Sequence, residues 1–167
     1  MHHTKNTILL GLFVAFLVAA CVVPIKHVAP TAPQVLFICE HGNVKSLMAA
    51  SYFNKLSQER HLPYRAISRG SAPDSTTVPP AIVEGLRRDG FNVAEFRPVA
   101  VTSSDVTASQ HVVLIGADLP ANVQAYKSEP ERWMDVPAAS IDYAAARDSL
   151  RSHVAELLDR IKQDKQR

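Results

Sequence analysis

Apolar and polar residues alternate in blocks along this chain rather than residue by residue. Val35-Leu36-Phe37-Ile38 is a continuous apolar run closing on Cys39, the pattern of a strand buried on both faces. Leu47, Met48, Ala50, Tyr52, Phe53 and Leu56 recur at helical spacing and predict an amphipathic helix over 47–60. Tyr64 to Ser68 is a second short strand, Arg69 to Pro73 a loop, and Pro79 to Asp89 a helix opened by proline and closed by Gly90. Val99 to Thr102 gives a minor strand, His111 to Ile115 a clear one, Ala121 to Lys127 a short helix, and Met134 to Pro137 the last strand. Tyr143, Ala146, Leu150, Val154, Leu157, Leu158 and Ile161 form one stripe of a C-terminal helix. Strands separated by helices imply an α/β domain with a parallel sheet and helices on both faces. Ligands then bind beyond the C-terminal ends of the strands, and Cys39 is at such an end.

The pattern breaks down before Gln34. Lys5 is followed by an almost wholly apolar run from Ile8 to Ala19, which reads as a bacterial export signal over residues 1–20. Val18-Ala19-Ala20-Cys21 resembles a lipoprotein cleavage box, which makes Cys21 the lipidated N-terminus of the mature chain. An uncleaved membrane anchor, an ordinary cleaved signal and a buried core segment are the alternatives. The uncharged run from Ile8 to Val23 is sixteen residues, short for a span of about 20. Residues 21–33, punctuated by proline from Pro24 to Pro33, read as a tether, and 34–167 as one folded domain. Lipid on Cys21 implies an extracytoplasmic, membrane-attached protein, on the periplasmic side if the cell is Gram-negative.

Charge narrows the partners. Of 18 basic and 16 acidic residues, the signal carries one lysine and no acid, so the mature chain is near neutral and no nucleic acid is expected. The seven histidines show no metal-ligand spacing, and neither a metal nor another cofactor is expected. With Cys21 acylated, Cys39 is the sole mature thiol, so no internal disulfide can form. An unpaired thiol in an oxidising space points to use or burial.

Cys39 opens the loop Glu40-His41-Gly42-Asn43-Val44, which Lys45 and Ser46 follow. Five residues can turn their backbone N–H groups around an oxyanion above a thiolate. A cation then holds the equatorial oxygens. Ser46 can donate a hydrogen bond to the sulfur and stabilise its ionised form. A lysine in the first turn of a helix is disfavoured by the dipole, which points to an anionic partner for Lys45. Gly42 and Asn43 tolerate positive φ and shape the loop. His41 is either a proton donor within it or a turn-capping side chain, and the Glu40 carboxylate would repel a bound oxyanion.

On the stretch VLFICEHGNVKS, the following LMAASYFNKL, and the weaker SRGSAP and RWMDVPA, the chain resembles the low-molecular-weight protein tyrosine phosphatase superfamily. That superfamily includes the thiol-dependent arsenate reductases. The resemblance covers most of residues 34–162 and implies a three-layer α/β/α, flavodoxin-like domain with a four-stranded, mainly parallel sheet. It implies Cys39 as the nucleophile towards phosphorus or arsenic, Ser46 as the assisting hydroxyl, and a phosphate monoester or other tetrahedral oxyanion as substrate. Lys45 stands where the family has arginine, keeping the charge but losing the planar fork. Gly42-Asn43 stands one position later than the family's pair.

The family's phosphatases protonate the leaving oxygen with an aspartate just before a proline. Here Asp135 precedes Pro137 with Val136 between them, and is either that acid or a surface or capping residue. Asp142 reads as an N-terminal acid of the last helix. Trp133 and Tyr126 either line the cleft mouth or pack elsewhere. Arg69 can approach the site, whereas His111 and His153 read as structural. A reductase of the thioredoxin-coupled kind needs further cysteines, so phosphatase ranks above reductase. The alternatives are an oxyanion-binding module without turnover and a single-cysteine arsenate reductase using an external thiol. The sequence names no protein partner.

Overall fold

The computed structural model describes residues 32–123 and 129–164. The signal over 1–20, Cys21, the tether apart from Ala32 and Pro33, Tyr126 and most of the expected 121–127 helix lie outside the described residues. Eight elements follow in order: β1 Gln34–Cys39, α1 Lys45–Glu59, β2 Arg65–Gly70, α2 Pro80–Arg88, α3 Ser103–Ala108, β3 Ser109–Ile115, β4 Glu131–Trp133 and α4 Tyr143–Asp164. The four strands form one sheet in the order β2-β1-β3-β4, with every pairing parallel.

Sequence alternation along β1 sets the layers. Val35, Phe37 and Cys39 face a core shared with α1, α2 and α4. Leu36 and Ile38 point the other way, into a smaller core built with Val101, Val106, Leu114 and Val123. The faces are therefore unequal, with α3 the one described helix on the second. All five β1 residues from Val35 to Cys39 are buried, the apolar four completely, and each is worth about 1.5–3 kcal/mol of transfer free energy. Phe37 packs edge-on to Phe53 at 5.7 Å and against Trp133 at 5.4 Å, tying α1 and β4 to the central strand.

Asp89, just past α2, fastens that helix to its neighbours. Its Oδ2 accepts hydrogen bonds from the hydroxyls of Tyr52 and Tyr143, each at 2.6 Å. Burial and the bond to Asp89 push the Tyr143 phenol up to about 12. Burial would raise the Asp89 carboxyl, but the two phenols and Arg147 outweigh it and hold it below its usual value.

Several expected boundaries shift. The last strand is 131–133 rather than 134–137: Trp133 pairs with Ile115, while Met134 is 66% exposed. Its apolar character signalled burial, but its side chain faces out. Residues 99–102 make a single parallel bridge, Ala100 to Gly70, and not a strand. Helix α3 was not expected from periodicity, since its six residues are too few to show any; its signal is the capping box of Thr102 and Asp105. Ala121 and Asn122 form a turn. Asp142, read as an N-terminal acid of the last helix, accepts from the Ala145 N–H at 2.9 Å and so caps α4. Among the described residues no helix is long and apolar enough to cross a membrane, and no cluster of His, Cys, Asp and Glu could hold a metal.

Candidate active site

The loop 40–44 leaves the C-terminal end of β1 and is clamped to the end of β2. The Ser71 N–H donates to the Cys39 carbonyl at 2.9 Å, and the Ala72 N–H to the Glu40 carbonyl at 2.8 Å. Gly42 has φ +75°, and a Cβ there would stand 2.6 Å from the Gly70 nitrogen. Only glycine permits this approach of two backbones. The reading of Gly42 as a loop-shaping residue therefore has a steric basis.

Cys39 is a free thiol, 3% exposed, whose sulfur is met by two polar partners. Ser46 Oγ lies 3.0 Å from Sγ, and the Gly42 N–H points to it at 3.3 Å. Ser46 is in turn held by Ser68, 2.8 Å away on β2, while Ser68 also reaches the Gly42 carbonyl at 2.9 Å. A hydroxyl relay thus ties the thiol, the loop and the neighbouring strand together. The Gly42 N–H donates to the sulfur, and in the contact between Ser46 Oγ and Sγ either atom can be the donor.

Beside Cys39 lies a cavity of about 440 Å³, bounded by Cys39, His41, Lys45, Asp74, Gly116 and Ala139 among others. Lys45, the first residue of α1, folds its side chain over Gly116 at the end of β3: a Cβ there would stand 2.8 Å from Nζ. Gly116 has φ +59°, so both its backbone and its missing side chain make room for the ammonium. The N-cap of α1, Val44, supplies no side-chain hydrogen bond, and the first turn holds no acid. Its orphan N–H groups and Lys45 give this end of the cavity positive potential. Asn43 is buried with its Nδ2 donating to the Thr77 carbonyl at 2.7 Å, while its Oδ1 has no partner. The cavity can therefore hold a tetrahedral anion above the thiol.

The structure brings Cys39, Lys45, Ser46 and the loop residues Glu40 to Val44 together at one strand end. Asp135 is not among the residues bounding the cavity. Its carboxylate is 2.9 and 3.1 Å from His153 Nε2 on α4, and it is 69% exposed. The extra Val136, which is buried, separates Asp135 from Pro137. Trp133 does not line the cleft either: it is 2% exposed, its ring stacks on His153 at 4.8 Å, and its Nε1 donates to Glu131. The Arg69 guanidinium is engaged by Asp105 at 2.9 Å, and only its carbonyl, which accepts from Ser46, serves the site. His111 is half-buried in β3, and burial pulls its ring below the ordinary histidine range.

Sequence reasoning missed Ser68, Asp74, Thr77 and Gly116. A usable signal existed for three of them. Asp74 and Thr77 follow β2 and Gly116 follows β3, and loops after parallel strands are where such folds build sites. Ser68, by contrast, reads as any strand serine.

No protein-family model matches the sequence, and no curated protein is detectably similar to it. Solved structures do match in fold. The thioredoxin-dependent arsenate reductase Cg_ArsC1' of Corynebacterium glutamicum superposes with a TM-score of 0.65 at 24% identity, over 82% of this chain and 65% of that one. A low-molecular-weight protein tyrosine phosphatase of T. tengcongensis gives 0.61 at 17% identity, over 77% and 99%. The YwlE arginine phosphatase, in a cysteine-to-serine mutant with a phosphorylated active-site serine, gives 0.69 at 18%, over 80% and 98%. The chain has the fold of the low-molecular-weight phosphatases and thiol-dependent arsenate reductases. The implied three-layer domain with a parallel four-stranded sheet is what the structure shows, and in that fold Cys39 ends the central strand β1.

Proposed function

We propose that this chain is a cysteine-dependent phosphatase acting on a phosphate monoester, either protein phosphotyrosine or a small aryl phosphate. The observation that carries the reading is Cys39 among the residues lining the cavity, its sulfur met by Ser46 Oγ at 3.0 Å and the Gly42 N–H at 3.3 Å. The thiolate attacks phosphorus, the ester P–O bond breaks, and a thiophosphate forms on Sγ. Water then attacks phosphorus and releases the thiolate. The loop N–H groups, the open first turn of α1 and Lys45 stabilise the charge on the equatorial oxygens throughout. The test is turnover of p-nitrophenyl phosphate by the purified full-length protein. Cys39→Ser abolishes turnover on this reading, and activity surviving that change overturns it.

A second reading, an oxyanion-binding module without turnover, is favoured by Lys45 in the arginine's place and by the position of Asp135 outside the cavity. Saturable phosphate binding by calorimetry with no turnover of any ester selects it. Arsenate reduction, the third, requires arsenate-dependent oxidation of an added low-molecular-weight thiol. We also propose that lipid on Cys21 holds the protein on an extracytoplasmic membrane surface. Palmitate labelling that persists in Cys21→Ser would contradict the anchor.

A further inference from the structure

We infer that His41, oriented by Asp74, is the proton donor to the leaving oxygen, a role that rests on the phosphatase reading and that Asp135 does not reach. Cleaving an unactivated ester needs an acid in the cavity, because an alkoxide or phenoxide is a poor leaving group until it takes a proton. Among the described residues bounding the cavity, the acidic or imidazole side chains are Glu40, His41 and Asp74. The two carboxyls are exposed, and histidine is the side-chain type suited to give and take a proton near neutral pH.

His41 sits between them. Its Nδ1 is 3.0 Å from Asp74 Oδ1 and its Nε2 is 3.8 Å from Glu40 Oε2. Nδ1 is shut off from solvent and has no hydrogen-bond partner among the described residues, and the Asp74 carboxylate lies 3.0 Å from it as an ion-pair contact. With Nδ1 buried against Asp74, Nε2 is the nitrogen left to exchange a proton with substrate. The backbone carrying the ring is held in turn: a Cβ on Gly70 would stand 2.9 Å from the His41 carbonyl carbon. An imidazolium here also offsets two carboxylates that would otherwise repel a dianionic substrate.

The steps balance. As Sγ bonds to phosphorus and the P–O bond breaks, the leaving oxygen takes the Nε2 proton and His41 becomes neutral. The neutral ring then accepts a proton from the attacking water, the P–S bond breaks, and phosphate leaves with His41 protonated again.

The experiment compares two esters, p-nitrophenyl phosphate, whose leaving group needs little protonation, and phenyl phosphate, whose leaving group needs it. In the full-length protein, His41→Ala lowers kcat for phenyl phosphate by about 100-fold and for p-nitrophenyl phosphate by less than about 10-fold. Asp74→Asn, which removes the orienting charge, shows the same selectivity in weaker form. Equal losses on both esters overturn the inference while leaving the phosphatase reading intact. Selective loss in Asp135→Asn instead assigns the acid to Asp135 and also overturns it. A wild-type protein that hydrolyses neither ester overturns both readings at once.

Discussion

Helices α1 and α3 begin in opposite ways. At α3 the Thr102 hydroxyl accepts from the Asp105 N–H at 3.1 Å, and Asp105 Oδ2 accepts from the Thr102 N–H at 3.0 Å and its hydroxyl at 2.7 Å. That carboxylate also receives Arg69. Every feature a helix start asks for is supplied from within the chain. At α1 the N-cap is Val44, no side chain caps it, no acid sits in the first turn, and the first residue is a lysine. An uncapped start is worth about 1 kcal/mol less than a capped one. The chain spends a carboxylate where the helix is structural, and leaves the corresponding position open where the helix faces Cys39 and the cavity. On the phosphatase reading proposed above, the missing carboxylate at α1 is the space an oxyanion takes.

Removing the cation tests the comparison most severely. Lys45→Ala lowers kcat/KM for p-nitrophenyl phosphate by about 100-fold, equivalent to roughly 2.7 kcal/mol of transition-state stabilisation. Thermal stability should change little, because Lys45 Nζ forms no ion pair or hydrogen bond among the described residues and rests against Gly116. A loss of activity that tracks a loss of folded protein would mean that Lys45 serves packing. Making α1 resemble α3 is the next largest effect. Val44→Asp places a carboxylate over the open N–H groups, so phosphate affinity by calorimetry falls by about 10-fold while the melting temperature holds or rises. Unchanged phosphate affinity in that variant would show that the helix start takes no part in binding.

The contrast also explains what could be read from the residues alone. The unbroken apolar run of β1 and the helical stripe of α4 are dictated by burial, and burial is written in residue type. The loop was legible because a thiol, a five-residue gap, a cation and a hydroxyl are chemically distinctive. The choice between the two readings of Asp135 was not legible in the residues, because its direction depends on Val136 turning inward and on His153, a helical residue eighteen positions away. Gly116 and Ser68 act on the site only through strand pairing, since the sheet brings β2 and β3 on either side of β1. Neither has a local pattern. Helix α3 was missed for the complementary reason: its cap is local and readable, but six residues show no periodicity.

The smallest effect lies at α3. Burial alone would raise the Asp105 carboxyl; the hydroxyl of Thr102, the Arg69 guanidinium and the Thr102 N–H overcome it and hold the group below its ordinary value. A carboxyl lowered by folding stabilises the fold above the unfolded value of about 3.9, and that contribution is lost as pH falls through the lower folded value. Asp105→Asn should therefore cost about 1–2 kcal/mol at neutral pH, read from urea denaturation. The gap between variant and wild type should narrow below about pH 4. Saturating phosphate should not alter this pH-dependent gap, because α3 already holds its own anion, whereas phosphate should raise the stability of the whole domain through α1. A gap that persists undiminished into acid would show that Asp105 acts through shape rather than charge, and the carboxylate that α1 lacks would then lose its counterpart.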